Sequence, residues 1–467
     1  MVTSRNERRE RLTVLVLAAS GMLTSLQFTL IVPALPEIPS MLGVSANDAS
    51  WMVTVTLLTG TVGTPVVTRL ADMYGRRRML LVSLGLLAAG SVIAAMGMTF
   101  TTVLIGRALQ GFATAIVPIG VSLLRGLTSR ERSNVGIALM SGTLGIGSAL
   151  GLPLSGVLVT WGGLAALFWF SAAAGAIFVA LVAMVVSEVP SRKGGRFDLV
   201  GSVLLGVALT CVLLVVSKIV VWGAWSPGII VLVVTALLAF AVWFPFELRH
   251  PNPVIDVRTS LRRPVLQTNV ASFFAAFGMF ANHLLTMQEA RASEGAGLAL
   301  PVLGAGLILV PSAVAMVALA PVAGALLNRL GGRVTLALGT ATITAAFVFR
   351  LLVHDGIVAV VIGALIVGVG TAFAFAAMPS LIMDAVPEHE AASANGVNSL
   401  TRSLSGAMAS AVFAFLIAAL PVQPGGDFLS EQGFMIAFGL TAAFGAVGTV
   451  LALTLPERPF EAAPDAA

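Results

Sequence analysis

Long apolar runs, separated by short polar breaks, recur along the whole chain. About 20 consecutive apolar residues suffice for a helix to cross the hydrocarbon core of a bilayer. The pattern predicts an all-α polytopic membrane protein with fourteen such helices, near residues 12–34, 50–70, 79–98, 102–124, 134–159, 164–186, 199–221, 229–246, 266–287, 301–327, 334–353, 357–378, 399–420 and 434–455.

Basic residues provide a separate test of this count, because cytoplasmic loops of membrane proteins carry an excess of Arg and Lys. Clusters of them fall in alternate loops, while the intervening loops hold acids such as Glu37, Asp48 and Asp355, with Lys218 and Arg291 as exceptions. The alternation predicts an even number of crossings and two cytoplasmic termini. Arginine greatly outnumbers lysine and Ala and Gly are abundant, which indicates a GC-rich bacterial genome and hence the inner membrane of a bacterium.

Composition narrows the function further. The chain has 58% hydrophobic and only 10% charged residues, unlike a soluble enzyme. Its net charge of +5 lies in the loops, so we expect contact with the lipid bilayer and not with nucleic acid. Cys211 is the single cysteine, the four histidines are scattered, and no H-E-x-x-H or phosphate-binding glycine loop occurs. We therefore expect no enzymatic activity, no cofactor and no metal site.

A short basic segment occurs twice. The segment 68–78 contains Asp72, Gly75 and Arg76, and the segment 324–333 has Asn328 and Gly331 at the corresponding positions. Each segment would form a tight turn between two helices, for which glycine with a positive φ is suited. The spacing predicts two related six-helix halves, with the predicted seventh and eighth helices inserted between them.

Other segments share their order and spacing with a known family. The residues that carry the resemblance include Asp72, Gly75, Arg76 and Arg77 in the basic turn, Leu104, Arg107, Gln110 and Gly111 in the fourth helix, and Gly142, Gly147, Gly151, Pro153 and Gly156 in the fifth. They resemble the major facilitator superfamily, and within it the fourteen-span drug:proton antiporter branch.

The resemblance implies a major facilitator fold. Residues 1–190 would form the N-terminal six-helix bundle, 191–263 the two inserted helices with cytoplasmic linkers, and 264–467 the C-terminal six-helix bundle with a short tail. It also implies a secondary active transporter that exports small amphipathic compounds, as in drug or antibiotic efflux, by proton antiport with alternating access. A proton-independent facilitator, or a lipid or metabolite exporter on the same fold, is the alternative.

The candidates for coupling and conformational change are Asp72, Gly75, Arg76, Arg107, Gly151, Pro153, Asn328 and Gly331. The resemblance implies that Asp72 holds one end state by contacting the other half, whereas an exposed carboxylate paired with arginines is the structural alternative. Arg107 lies inside an apolar span, where an arginine usually faces the bundle interior or a wet cavity. Gly151 and Pro153 belong to a small-residue stripe that either packs against a neighbouring helix or, as the family implies, restricts leakage.

Candidates for substrate binding lie on helices that face the central cavity in this superfamily. They are Thr24, Gln27, Phe28, Gln110, Phe112, Asn269, Phe273 and Phe277, although an aromatic stripe at helical spacing also suits packing. Gln27 stands where the branch commonly has an aspartate, at a depth where it could hydrogen-bond to Arg107. Because no buried carboxylate is evident, we expect a neutral or weakly anionic amphiphile.

A proton site is harder to locate in the sequence. Glutamine cannot carry a proton, so Gln27 cannot replace the expected aspartate in that role. His283 lies within a predicted helix, and Glu289 follows about a turn and a half later. These two are the candidates for a proton relay, and a hydrogen-bonded helix contact is the alternative role of His283.

Overall fold

The computed structural model describes residues 2–31, 34–35, 37–189, 197–223, 225–292, 297–353, 356–423 and 428–456. These residues form the α-helices α1 Val2–Ile31, α2 Ile38–Leu42, α3 Ala46–Tyr74, α4 Arg76–Gly97, α5 Phe100–Gly111, α6 Ile116–Leu127, α7 Arg130–Val185, α8 Leu199–Trp222, α9 Pro227–Arg249, α10 Val257–Ser260, α11 Arg263–Arg291, α12 Val302–Ala318, α13 Ala320–Leu352, α14 Gly356–Asp384, α15 Ala391–Ala419 and α16 Glu431–Leu453. Short 3₁₀ segments cover Phe112–Ala115 and Glu388–Glu390.

The all-α prediction is confirmed, but the count of fourteen crossings is not. Within the described residues, twelve helical segments are long and apolar enough to cross a membrane. The predicted fifth and sixth helices both lie in α7, which breaks at Gly162 and Gly163. The predicted tenth helix is divided between α12 and the first turns of α13.

Glycines with positive φ form the sharp changes of direction. Gly75 separates α3 from α4 with a φ of 112°, and Gly331 interrupts α13 with a φ of 79°. Gly163, at the break in α7, has a φ of 62°. A side chain at such an angle clashes with its own backbone, so these turns need glycine. The two corresponding glycines of the repeated segment thus have the positive φ that the sequence predicts.

We refer to α1–α7 as the N-terminal half and to α11–α16 as the C-terminal half. The halves meet where α7 packs on α12, α13 and α14, and where α3 and α6 pack on α15. Small residues allow the close approach, since a Cβ added to Gly142 would lie 2.8 Å from the carbonyl oxygen of Met316, and one added to Gly324 would lie 2.8 Å from the Cα of Val135.

The remaining long helices, α8 and α9, pack on each other outside the two halves. α8 also contacts both α3 and α15 and therefore straddles the junction between the halves. Apolar side chains fill this contact, among them Leu205 and Leu209 of α8 and Leu400 of α15.

Candidate functional site

The first repeated turn is docked on the opposite half of the molecule. Asp72 is only 4% exposed, and its carboxylate accepts hydrogen bonds from the backbone N–H groups of Ala392 at 3.2 Å and Ser393 at 2.7 Å. These N–H groups belong to the first turn of α15, where helices have unpaired donors and a partial positive charge. Arg76 donates to Asp72 at 3.3 Å and also to the carbonyl oxygen of Glu388.

A second carboxylate fixes the start of α4 within the N-terminal half. Glu188 accepts hydrogen bonds from the backbone N–H groups of Arg77 at 3.0 Å and Arg78 at 3.2 Å. A Cβ added to Gly75 would lie 2.9 Å from Glu188 Oε2, so this glycine also leaves room for the carboxylate. Glu188 was not predicted from the sequence, because it stands in no recognisable pattern.

The second repeated turn docks in the reverse direction, on the start of α7. Asn134 donates to Asn328 Oδ1 at 2.7 Å, and Asn328 donates to the carbonyl oxygen of Glu131 at 3.4 Å. Nearby, Arg130 donates to Asp384 at 2.9 Å, and Arg125 pairs with the same carboxylate. We call the end of the molecule that carries both turns and these ion pairs the basic end.

Arg107 lies away from the basic end and is only 1% exposed. Its guanidinium donates to the carbonyl oxygens of Met52 and Gln27, each at 3.0 Å, and to Gln110 Oε1 at 2.8 Å. Gln110 in turn donates to Ser91 at 2.8 Å. This network joins α1, α3, α4 and α5 without any acidic residue.

The expected pairing between Gln27 and Arg107 needs a correction. The contact exists, but Arg107 binds the backbone carbonyl of Gln27 and not its side-chain amide. Gln27 Nε2 and Arg107 Nη2 are both buried and have no hydrogen-bond partner among the described residues. Two of the three acceptors of Arg107 are main-chain oxygens, and any residue at position 27 could supply the one that Gln27 provides.

Other candidates of the N-terminal half surround the 3₁₀ segment that follows α5. Thr24 is buried and donates to the carbonyl oxygen of Ala113 at 3.1 Å, inside this segment. Phe112 is partly buried and packs against Gly63, where an added Cβ would lie 2.7 Å from its ring. Phe28 is partly exposed. The structure therefore brings Thr24 and Phe112 together around one irregular segment of backbone.

The glycine stripe of α7 packs against α1. Gly147 approaches Ser25 and Gly151 approaches Thr29 so closely that neither position has room for a Cβ. Thr29 also donates to the carbonyl oxygen of Gly147 at 3.1 Å. Pro153 lies within the helical backbone of α7, but its side chain is outside the described residues.

Two of the aromatic and amide candidates on α11 serve helix packing. Phe277 is fully buried, with its ring centroid 4.8 Å from that of Phe444, so its expected role in lining a pocket is corrected to a core position. Asn269 accepts from Asn398 of α15 at 2.9 Å. Phe273 remains partly exposed.

The proton-relay candidates are not brought together. Glu289 forms a buried ion pair with Arg350, which also donates to Thr286 at 3.1 Å and stacks at 4.4 Å on the ring of Phe438. His283 lies six residues before Glu289 and therefore on a different face of α11. Among the described residues His283 has no hydrogen bond.

Arg402 is a partly buried arginine within a helix long enough to span the membrane, and no sequence pattern predicts a role for it. It lies on α15, and its guanidinium carbon is 5.1 Å from the ring centroid of Phe375. No described residue gives it a hydrogen bond or an ion pair. The carbonyl oxygen of Phe375 accepts from Ser141 of α7 at 2.9 Å, so Arg402 lies beside the junction of the two halves.

Comparisons with known proteins identify the family of the chain. Residues 17–410 match the family model of the Major Facilitator Superfamily. Multidrug resistance protein Stp of Mycobacterium tuberculosis is 27% identical over 419 residues, covering 88% of this chain and 76% of Stp. The tetracenomycin C resistance and export protein of Streptomyces glaucescens is 26% identical over 411 residues, covering 87% of this chain and 76% of that protein.

A solved structure supports the fold. The crystal structure of the human organic anion transporter MFSD10 (TETRAN) matches with a TM-score of 0.68 at 17% identity, covering 95% of this chain and 99% of that chain. At this level of identity the likeness concerns the fold alone.

Proposed function

Because the chain belongs to the major facilitator superfamily, we propose that it exports small amphipathic compounds across the inner membrane of a bacterium. Family membership and the named relatives make it a transporter and not an enzyme. Relatives named for multidrug resistance and for antibiotic export support efflux as the direction of transport.

The observation that carries this proposal is the docking of each half on the other at the basic end. Asp72 reaches the first turn of α15, and Asn328 reaches the first turns of α7, in two related contacts. Alternating access requires such contacts to break when the opposite end state forms. In this scheme the basic end is cytoplasmic, both termini are cytoplasmic, and the described arrangement is closed toward the cytoplasm.

Fourteen crossings remain our proposal for the topology. The break at Gly162 and Gly163 would divide α7 into two crossings, and α12 with the first turns of α13 would form one more. This count leaves six crossings in each half and two in the inserted pair α8 and α9. It preserves the alternation of basic loops that the sequence shows.

Arg402 favours a neutral or anionic substrate. Its only described partner is the face of Phe375, which leaves the hydrogen-bonding edge of the guanidinium open to a ligand. Glu289, by contrast, is neutralised by Arg350 and offers no free charge to a cation. A carboxylate or phenolate on an otherwise apolar compound would gain charge-assisted hydrogen bonds at Arg402.

Proton antiport is the energy source that the family suggests, and a facilitator is the alternative that Gln27 favours. The first experiment measures accumulation of amphiphilic dyes and antibiotics in pump-deficient bacteria, with and without the protein, before and after an uncoupler is added. Lower accumulation that the uncoupler abolishes would support energised export. A change in accumulation that the uncoupler does not affect would exclude proton antiport and favour facilitated diffusion.

The same assay tests Arg402 and Arg107. We expect Arg402→Gln to reduce export of anionic compounds about 10-fold while neutral compounds change much less, and Arg402→Lys to retain part of the activity. Arg107→Leu should abolish export of both classes while the protein still inserts into the membrane. Equal loss for anionic and neutral compounds in Arg402→Gln would exclude the proposed substrate contact.

A further inference from the structure

Two buried carboxyl groups lie near each other where α8 begins and α9 ends, outside the site described above. Asp198 precedes α8 and is 3% exposed, while Glu247 lies in the last turn of α9 and is 2% exposed. Neither residue has a role in the docking contacts or in the arginine networks. Burial of two acids in one place is costly unless each oxygen is paired or a proton is bound.

One oxygen of each group is satisfied by the backbone. Asp198 Oδ1 accepts from the N–H of Gly201 at 2.8 Å and caps the start of α8. Glu247 Oε1 accepts from the N–H of Ile255 at 2.8 Å and holds the segment that follows α9. Both acids therefore have a structural function that fixes their positions and does not consume their second oxygen.

The second oxygens face each other without a donor. Asp198 Oδ2 and Glu247 Oε2 are buried and have no hydrogen-bond partner among the described residues. A Cβ added to Gly201 would lie 2.5 Å from Glu247 Oε2 and closer still to Asp198 Oδ2. The two oxygens are thus within about 5 Å of each other, where two negative charges would repel strongly. A single proton on either group supplies the missing donor for both.

No described neighbour supplies a compensating positive charge. His250 Nδ1 lies 3.7 Å from Asp198 Oδ2, but this nitrogen accepts from the N–H of Asn252 at 3.3 Å and so cannot donate to the acid. Arg258 donates to the carbonyl oxygen of Leu248, and Asp256 caps α10 by accepting from Thr259.

Apolar side chains of α3 and α15 pack against α8 in the cluster that also holds Ile255. They are Val62 of α3 and Val397, Leu400 and Leu404 of α15. Arg249, two residues after Glu247 in the sequence, has an exposed side chain. Among the residues that the structure describes, which exclude 190–196, only a bound proton would satisfy both acids.

We propose that Asp198 and Glu247 share one proton and form a proton-binding site that ties the start of α8 to the end of α9. The proton forms an O–H···O bond between the two carboxyl groups, and its release leaves two carboxylates that repel. Because α8 contacts both α3 and α15, release of the proton acts on the two helices that the Asp72 contact joins. The binding site is independent of the proposed export activity, whereas this last consequence depends on it.

Infrared spectroscopy of the purified full-length protein tests the site directly. A protonated carboxyl group gives a C=O stretching band that a carboxylate lacks and that shifts in D₂O. At about pH 7 we expect one such buried group per chain, with the band lost in both Asp198→Asn and Glu247→Gln. Each variant keeps the backbone hydrogen bond through its amide oxygen and replaces the shared proton by an N–H donor, so the fold should be retained.

Asp256→Asn is the matched control, because the carboxylate of Asp256 caps the neighbouring α10 by accepting from the N–H of Thr259. We expect this variant to keep the full band. Absence of the band from the wild-type protein at about pH 7, or its persistence in both test variants, would overturn the proposal whatever the result of the export assay.

Transport measurements then test the consequence for α3 and α15. Glu247→Gln carries a permanent donor, so its export rate should depend less on cytoplasmic pH than the rate of the wild-type protein. A band that behaves as expected, together with an unchanged pH profile in Glu247→Gln, would support the proton site and refute its link to the Asp72 contact. If the wild-type protein shows no export at all, that result would contradict the proposed function and leave the proton site untouched.

Discussion

The two halves of the molecule satisfy their buried charges by different means. In the N-terminal half, Asp72 is bound by backbone N–H groups of α15 as well as by Arg76, and Arg107 mainly by backbone carbonyl oxygens. In the C-terminal half, Arg350 is paired with the side chain of Glu289. Asn328 of the second turn is uncharged and exposed, and it binds the side chain of Asn134 on α7. The related turns thus occupy related places with charged contacts in one half and neutral contacts in the other.

Charges bound by backbone groups and charges bound by side chains respond to different perturbations. A charge bound by backbone groups depends on the position of a helix and not on the identity of a partner side chain. Movement of α15 away from α3 would therefore release Asp72, whereas Arg350 and Glu289 lie in one half and would move together. A pair of side chains is instead sensitive to substitution, because removal of one partner leaves the other buried and charged.

Substitution of Arg350 should have the largest effect on stability. Arg350→Leu leaves Glu289 buried without its counter-charge, and we expect a loss of about 3–5 kcal/mol in the free energy of unfolding. Thermal unfolding of the purified protein in detergent measures this loss. Adding Glu289→Gln to the variant should restore much of it, because the stranded charge is then removed.

Arg107→Leu provides the comparison within the N-terminal half. This variant leaves two carbonyl oxygens and the amide of Gln110 without a donor, but it leaves no ionised group without a counter-charge. We therefore expect the free energy of unfolding to fall by only about 1–3 kcal/mol. Equal losses for the two arginine variants would contradict the distinction between backbone and side-chain compensation.

Asp72→Asn should have an intermediate effect, on the equilibrium between end states. The amide retains the size of the acid but loses the charge that the first turn of α15 stabilises, at a cost of about 1–2 kcal/mol. We expect export to slow about 10-fold while the dissociation constant of the substrate changes less than about 3-fold. Spin labels on α3 and α15 at the basic end should report a larger population of separated halves.

The control for this variant is Thr68→Ser, in the same turn and on the face that approaches Gly396. It keeps the hydroxyl group that bonds within α3 and leaves the Asp72 contact intact. A distance distribution in Asp72→Asn that matches this control would argue against a role for the charge.

Asn328→Ala should have the smallest effect. It removes two neutral hydrogen bonds at the start of α7, one of them long. We therefore expect the free energy of unfolding to fall by about 0.5–1.5 kcal/mol and export to slow about 3-fold. Asn134→Ala should cost a similar amount, and the double variant little more than either alone, because both substitutions remove the same contact. Strictly additive losses would show that the two asparagines act separately.

Much of the fold follows from the sequence, because the bilayer imposes a strong length and polarity constraint. The predicted helices near 79–98 and 199–221 correspond to α4 and α8, and Gly75 and Gly331 adopt the positive φ that their spacing suggests. The count of fourteen crossings is not confirmed, since the predicted fifth and sixth helices form the single α7 with a break at Gly162 and Gly163, and the predicted tenth is divided between α12 and α13.

The candidate site was predictable only in part. Asp72 and Arg107 stand out as polar residues at unusual depths, but their partners are backbone groups, which carry no signature in a sequence. Arg402 was missed because the predicted helix begins near it, and its ring partner Phe375 lies on a different helix. Phe277 shows the opposite error, since helical spacing alone does not distinguish a core aromatic from one that lines a cavity.

The 3₁₀ segment Phe112–Ala115 makes the span from α5 to α6 longer than a continuous α-helix of the same residues would be. Each residue advances about 2.0 Å in a 3₁₀-helix and about 1.5 Å in an α-helix. Conversion of the four residues to α-helix would therefore shorten the span by about 2 Å. Arg107, which lies in α5 five residues before Phe112, would then shift by about 2 Å along the helix axis toward the basic end, without any bend in α5 or α6.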